Sequence, residues 1–577
     1  MECPMRSLFF LGLFGLALSV PAWGAVEPEA PTGFLSRPAV SAPHYMAATA
    51  NPYATEAAQK VLAQGGSAVD GAIAAQMVLT LTEPQSSGIG GGLFMVLWDS
   101  KAQRLVTLDG RETAPASATP DLFLDDSGKP AGFMDAVVGG RSVGVPGAIA
   151  ALYDAHQQYG VLPWSQLLAP AIELAEQGFV VSPRLAGLLE RELNPGLLRP
   201  GPAREYFYPE GRALQAGTRV TNPELAKTLK RIAQAGPAGF YQGPLAEAMV
   251  AAVQNDASQP GGLSLSDLAH YQPRWREPVC APYRQYQVCG MGPPSSGGVT
   301  VGQILGLLSS YPLSQMSPNS SEFLHLFSQA SRLAYADRNR YLADSDFVSV
   351  PVTRMLAPDY LESRRAQLPP LHDEGRAHPG VLTPVPGVDA TQALPSTTHL
   401  VMADRQGNLL SMTSSIEMGF GSSVMVGGFL LNNQLTDFSR DPGPKDALAA
   451  NCVEAGKRPR SSMAPTIVLD KHGQPLLAIG SPGGSRIISY VAQTTIAILD
   501  WELSLEQALA LPRVSHRNDY LALESEQAWG ERVQQMIERH YQVKQVPLNS
   551  GVQVIRKTPS GWEGAADPRR EGVASGG

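Results

Sequence analysis

The sequence predicts an α/β protein, and three stretches carry that reading. Near the start, two helical segments, 56–64 and 70–81, feed two strand-like segments, 93–98 and 100–108. In the last third, β-branched and apolar residues over 397–404 turn at Arg405-Gln406-Gly407 and return over 409–415, a hairpin pattern. Further on, a strand-like run at 476–479 passes through Ser481-Pro482-Gly483-Gly484-Ser485-Arg486 into a helical run over 487–499.

Taken in order, the chain opens with a leader pattern. Arg6 precedes 13 apolar residues, 8–20, too short for a membrane span of about 20. Ala22-Trp23-Gly24 supplies small residues for a cut after Gly24, so 1–24 is expected to be a signal peptide. No other stretch has 18 uninterrupted apolar residues, so the mature chain is expected to be periplasmic or secreted, with no stable membrane span. Gly65-Gly66-Ser67 separates the two helices, and 70–81 is apolar all round, as a buried helix is. Gly88-Ile89-Gly90-Gly91-Gly92 runs from helix to strand with no following Lys-Ser/Thr, the reverse of a phosphate loop. Close backbone packing or approach to a ligand is the better reading. Residues 150–365 read mostly helical, broken at Gly178, Pro195, Gly239 and Pro273. Cys280 and Cys289 flank a strand–turn–strand stretch; an oxidising compartment allows a bridge between them, and two free thiols are the alternative. Six prolines from Pro369 to Pro395 make 368–396 a long, exposed connector.

Composition narrows the function. At about 100–200 residues per domain, 577 residues suggest three to five domains. Charged residues are 17%, below the usual ~25%. A net charge of −8 argues against a nucleic-acid partner. No HExxH or similar His spacing is present, and neither metal nor cofactor is expected.

The hairpin carries chemistry. If Asp404 faces Asn408 across the turn, Thr397 lies opposite Ser415. A threonine opening a strand just after a Pro-rich connector is a candidate for self-cleavage between Ser396 and Thr397. The freed α-amine, with a pKa of about 7.7–8.0, then serves as general base for its own hydroxyl. Ser415 would orient that group. His399 shares the Thr397 face, but the amine already supplies a base, so no catalytic role is assigned to it.

These segments, with Asp109 to Pro115, Gly144-Val145-Pro146-Gly147, Pro293 to Gly298, the Asn433 to Ser439 run, Ser461-Ser462-Met463 and Ala566-Asp567-Pro568-Arg569, resemble γ-glutamyltranspeptidase of the N-terminal-nucleophile hydrolases. The resemblance implies a four-layer αββα sandwich, built jointly by a large subunit, 25–396, and a small catalytic subunit, 397–577, paired as a heterodimer. It implies Thr397 as nucleophile, supported by Ser415, and Gly483 and Gly484 as oxyanion hole. Arg111, Ser461 and Ser462 would grip a substrate α-carboxylate; Asp437 and Gln434 would hold its α-amino group at the other end. Without an ammonium partner, Asp437 would be a stranded buried charge. Glu417 stands where the family usually has Asn, adding a second carboxylate or favouring a more cationic head group. Loop 440–456 resembles a lid but is short and lacks aromatic residues, so open access is expected. The implied activity is transfer of γ-glutamyl groups, from glutathione and related amides, to water, amino acids or dipeptides. The alternatives are an acylase of glutaryl or β-lactam amides, and a non-catalytic exported binder.

Overall fold

Two antiparallel seven-stranded sheets stack face to face. In spatial order the first holds Val40–Ala42, Gly561–Ala566, Gln553–Thr558, Pro475–Gly480, Thr466–Leu469, Tyr286–Gly290 and Val279–Tyr283. The second holds Val573–Gly576, Met46–Thr49, Thr398–Ala403, Leu409–Ser415, Gly92–Asp99, Arg104–Gly110 and Arg274–Arg276. This computed structural model describes residues 32–391, 396–525 and 527–577; the leader at 1–24 and Pro395 lie outside the described residues.

Strand alternation sorts the layers. Leu400 and Met402 face helices, packing with Pro52–Ala63 and Ala68–Thr82, while Val401 and Ala403 face the other sheet alongside Ile467, Ala478 and Ile555. On the far side, Val468, Leu477 and Ile479 meet helices Gly297–Leu308, Ser321–Tyr341 and Ile487–Leu499. The result is the αββα sandwich. Ala68–Thr82 is buried along its whole length and opens with a reciprocal Ser67–Asp70 capping box.

Length misleads on domain count. Strands from before and after residue 396 contribute to both sheets, so neither part builds either sheet alone. The glycine run does serve close packing: a Cβ on Gly90 would lie 2.2 Å from the Leu430 carbonyl oxygen, and one on Gly91 2.1 Å from that of Ser415. Cys280 and Cys289 are cross-strand partners joined by a disulfide, and Cys452 is free and buried.

The Pro-rich stretch is an exposed connector with anchors the sequence did not signal. Its described residues form no helix or strand and many are exposed, as expected (Val381 is 92% exposed), yet the stretch is also tied down. Tyr341 Oη donates to the Gly380 carbonyl at 2.7 Å and Arg364 Nη2 to that of His378 at 2.9 Å. Side-chain donors satisfy backbone that the prolines keep out of regular structure.

Candidate active site

The hairpin register is the one the turn predicts: Thr398 pairs with Ser414, which sets Thr397 opposite Ser415. Gly407 takes a positive φ of 88° at the turn. Thr397 Oγ1 donates to the Ser396 carbonyl oxygen at 2.6 Å. Ser415 Oγ donates to the same oxygen at 2.8 Å and accepts the Glu417 N–H, also at 2.8 Å. Two hydroxyls thus converge on one carbonyl, at the bond expected to break.

A recess opens beside this point. Its wall contains Arg111, Thr397, Ser415, Glu417, Gln434, Asp437, Ser461, Ser462 and Gly484, with Met463 and Ile487 as apolar neighbours. Every expected site residue but Gly483 and Ser396 lines it. Gly483 precedes Gly484 in a left-handed turn, with φ of 133° and 56°, at the entry to helix Ile487–Leu499. A Cβ on Gly483 would press to 2.7 Å of the Tyr490 ring. The Tyr335 hydroxyl donates to the Ser485 carbonyl and anchors this turn. Backbone N–H groups at such a helix entry suit a developing oxyanion. With Ser396 attached, Thr397 is only 3% exposed.

The charged groups correct the expected two-ended clamp. Arg111 Nη2 donates directly to Asp437 Oδ2 at 2.6 Å, and Gln434 Nε2 donates to the same oxygen at 2.9 Å. Asp437 is therefore already paired before a ligand arrives, not stranded. Sequence distance hid this, because Arg111 directly follows the strand Arg104–Gly110 and Asp437 sits on a separate 3₁₀ turn, Gln434–Asp437. Pro459 and Arg460 carbonyls also hold the Arg111 guanidinium, at 3.1 and 3.2 Å. Ser462 Oγ accepts Arg338 Nη2 at 2.5 Å, and Ser461 Oγ accepts the Met463 N–H at 3.0 Å. Each hydroxyl keeps its proton to offer a carboxylate. Glu417 adopts a positive φ of 79°, and its Oε2 accepts Asn433 Nδ2 at 3.2 Å.

Arg338, Glu112 and Glu83, behind the recess, were not signalled by the sequence as site groups. Arg338 is buried on helix Ser321–Tyr341, and burial with nearby Arg460 lowers its pKa to about 9. Glu112 is fully buried 3.9 Å from Arg111, and burial raises its pKa to about 8. Glu83 accepts Thr398 Oγ1 at 2.9 Å; burial raises its pKa to about 7. His399 lies between the sheets with Nδ1 2.9 Å from Thr413 Oγ1, and burial lowers its pKa to about 3. Among the described residues no cluster of three or more His, Cys, Asp or Glu is placed to hold a metal.

A stacked αββα sandwich with a threonine hydroxyl at the head of a central strand, beside a glycine turn, defines an N-terminal-nucleophile hydrolase, an acyl-transferring enzyme. The chain belongs to the γ-glutamyltranspeptidase family, whose sequence model, described as Gamma-glutamyltranspeptidase, matches residues 54–577. It is 39% identical over 485 residues to a glutathione hydrolase proenzyme of Bacillus subtilis, covering 81% of this chain and 80% of that one. It is 36% identical over 540 residues to the acylase ACY 1 proenzyme of a Pseudomonas species, covering 92% of both. A crystal structure of cephalosporin acylase from Bacillus halodurans superposes with a TM-score of 0.82 at 28% identity, over 96% of this chain and 99% of that one.

Proposed function

We propose that the protein is an exported γ-glutamyltranspeptidase and glutathione hydrolase that matures by cutting itself between Ser396 and Thr397. The observation that carries this reading is the pair of hydroxyls on the Ser396 carbonyl. Thr397 Oγ1 attacks the Ser396 carbonyl carbon, Ser415 donates to its oxygen, and the C–N bond breaks to leave a Ser396–Thr397 ester. Water hydrolyses the ester, freeing the Ser396 carboxylate and the Thr397 α-amine. The fragments 25–396 and 397–577 stay together as a heterodimer because their strands interleave.

In the mature enzyme the Thr397 amine takes the hydroxyl proton as Oγ1 attacks a γ-glutamyl amide. Gly483 and Gly484 N–H groups receive the oxyanion, the amine of the donor leaves with the proton, and water or an acceptor amine then resolves the ester. Arg111, Ser461 and Ser462 take the α-carboxylate of glutathione or a related donor, and Asp437, Gln434 and Glu417 take its ammonium. The names of glutathione hydrolase relatives support this substrate class. Export is supported by the leader pattern.

The relatives named as acylases support a second reading, hydrolysis of glutaryl or β-lactam amides. Two carboxylates in the recess favour an amino-bearing substrate over these. Denaturing gels of wild type and Thr397→Ala, with γ-glutamyl and glutaryl anilides as substrates, test all of this. Wild type is expected as two fragments, active on the γ-glutamyl compound; Thr397→Ala as one inactive chain. A cut, active Thr397→Ala, or a preference for the glutaryl anilide, overturns the reading, and an uncut wild type points to a non-catalytic binder.

A further inference from the structure

We infer that one helix, Ser321–Tyr341, positions both working parts of the site: Tyr335 holds the oxyanion turn, and Arg338 holds the two serines that grip the donor carboxylate. Both are positioning residues, and both roles rest on the proposed γ-glutamyl transfer.

Tyr335 and Arg338 stand three residues apart on one face of this 21-residue helix. Both are buried, at 1% and 4% exposure, and the guanidinium carbon lies 5.7 Å from the centre of the Tyr335 ring. From this shared patch the two polar ends reach different loops. One meets the turn after strand Pro475–Gly480, and the other meets the loop before strand Thr466–Leu469.

The Tyr335 hydroxyl donates to the Ser485 carbonyl, one residue beyond Gly484. Gly483 and Gly484 both take positive φ, and with no Cβ their backbone is soft. Donors for an oxyanion act only if they are fixed before the charge develops. The buried tyrosine supplies that fixation from outside the turn.

Arg338 Nε donates to Ser296 Oγ at 2.9 Å, Nη2 to Ser462 Oγ at 2.5 Å and Nη1 to Asn339 Oδ1 at 2.8 Å. Ser296 passes the anchorage on: its hydroxyl and its N–H both donate to the Ser461 carbonyl, at 2.6 and 2.8 Å. One guanidinium thus fixes the Ser461 backbone and the Ser462 side chain together. These three partners are neutral, and among the described residues Arg338 is ion-paired with no carboxylate. A buried cation without a paired anion favours a carboxylate arriving at the hydroxyl it polarises. Ser462 accepts from the cation and keeps its own proton for that ligand.

Kinetics of the processed full-length enzyme on a γ-glutamyl anilide separate the two roles, with self-cleavage as the control. That step is set apart because the Thr397 and Ser415 hydroxyls hold the Ser396 carbonyl oxygen. Tyr335→Phe is expected to cut itself within about twofold of the wild-type rate, then to show kcat about tenfold lower with KM within about twofold. Arg338→Gln is expected to show the converse, KM about tenfold higher with kcat within about twofold. A cut Tyr335→Phe with wild-type kcat, a loss shared equally by its self-cleavage and its turnover, or a cut Arg338→Gln with wild-type KM overturns the inference alone. A processed wild type inactive on the anilide overturns the proposed function and this inference with it. If Arg338→Gln fails to fold, Tyr335→Phe still decides.

Discussion

Arg111 and Asp437 hold each other at 2.6 Å inside the recess, with Gln434 on the same carboxylate oxygen. A zwitterionic head group can enter such a pair by exchange: its carboxylate replaces Asp437 on the guanidinium, and its ammonium replaces the guanidinium on Asp437. A ligand with a carboxylate alone gives the guanidinium a partner and leaves Asp437 with the neutral Gln434 amide but no cation. Asp437→Asn removes this distinction. We expect kcat/KM for a γ-glutamyl anilide to fall by about 10²-fold or more, since breaking a buried pair costs about 3–5 kcal/mol. The glutaryl anilide should lose far less, so the ratio of the two rates is the measurement. An unchanged ratio would refute the exchange.

Ser415 is placed to act on the Ser396 carbonyl as an oxyanion donor, at 2.8 Å. Removing one such donor costs about 10²–10³ in rate in other acyl transfers. Ser415→Ala should therefore slow self-cleavage by about that factor, measured as loss of the uncut band with time. Ser415→Thr keeps the hydroxyl and should cut at close to the wild-type rate. Equal rates for Ser415→Ala and wild type would remove Ser415 from the step.

How far the sequence foretold this site differs from residue to residue. The Thr397–Ser415 pairing was legible because facing Asp404 with Asn408 across the Gly407 turn sets the register; a bulge would have slipped it by one residue, and the ladder has none. The glycine run was legible because its order excluded a phosphate loop. Arg338 was not: it stands in the polar run Asp337-Arg338-Asn339-Arg340, which reads as a solvated last helical turn, and only the Ser462 loop crossing it makes it part of the site. Nor was the Asp389–Arg460 ion pair, which joins a Pro-rich stretch to a residue four strands later. Long-range ion pairs leave no periodic trace in a sequence.

Glu112 gives stability a slope on the alkaline side. Its carboxylate oxygens have no hydrogen-bond partner, and burial raises its pKa from 4.5 to about 8 despite Arg111. Between those values the folded chain holds a proton that the unfolded chain releases. The stability this contributes is full below 4.5 and is lost as pH rises through about 8. The amide of Glu112→Gln does not titrate. Its melting temperature relative to wild type should therefore climb between about pH 5 and 8.5, whatever constant offset the amide brings. A flat difference across that range would show that Glu112 is ionised in the folded chain.

His399 sets the opposite slope. Burial lowers its pKa from 6.5 to about 3, so the folded chain excludes a proton that the unfolded chain binds. Its contribution is full above 6.5 and is lost as pH falls through about 3. A neutral imidazole bonded to Thr413 Oγ1 and packed against Gly480, where a Cβ would lie 2.2 Å from the ring, is a spacer between the sheets. His399→Gln should flatten the acid limb of the stability curve and lower stability at neutral pH by about 1–3 kcal/mol, through the lost ring packing and hydrogen bond. Once the variant is cut, kcat/KM for the γ-glutamyl anilide should stay within about threefold of wild type, because the general base is the Thr397 amine. A loss of 10²-fold or more in fully processed, folded His399→Gln would instead make the imidazole part of the proton path, and the amine would no longer suffice as base.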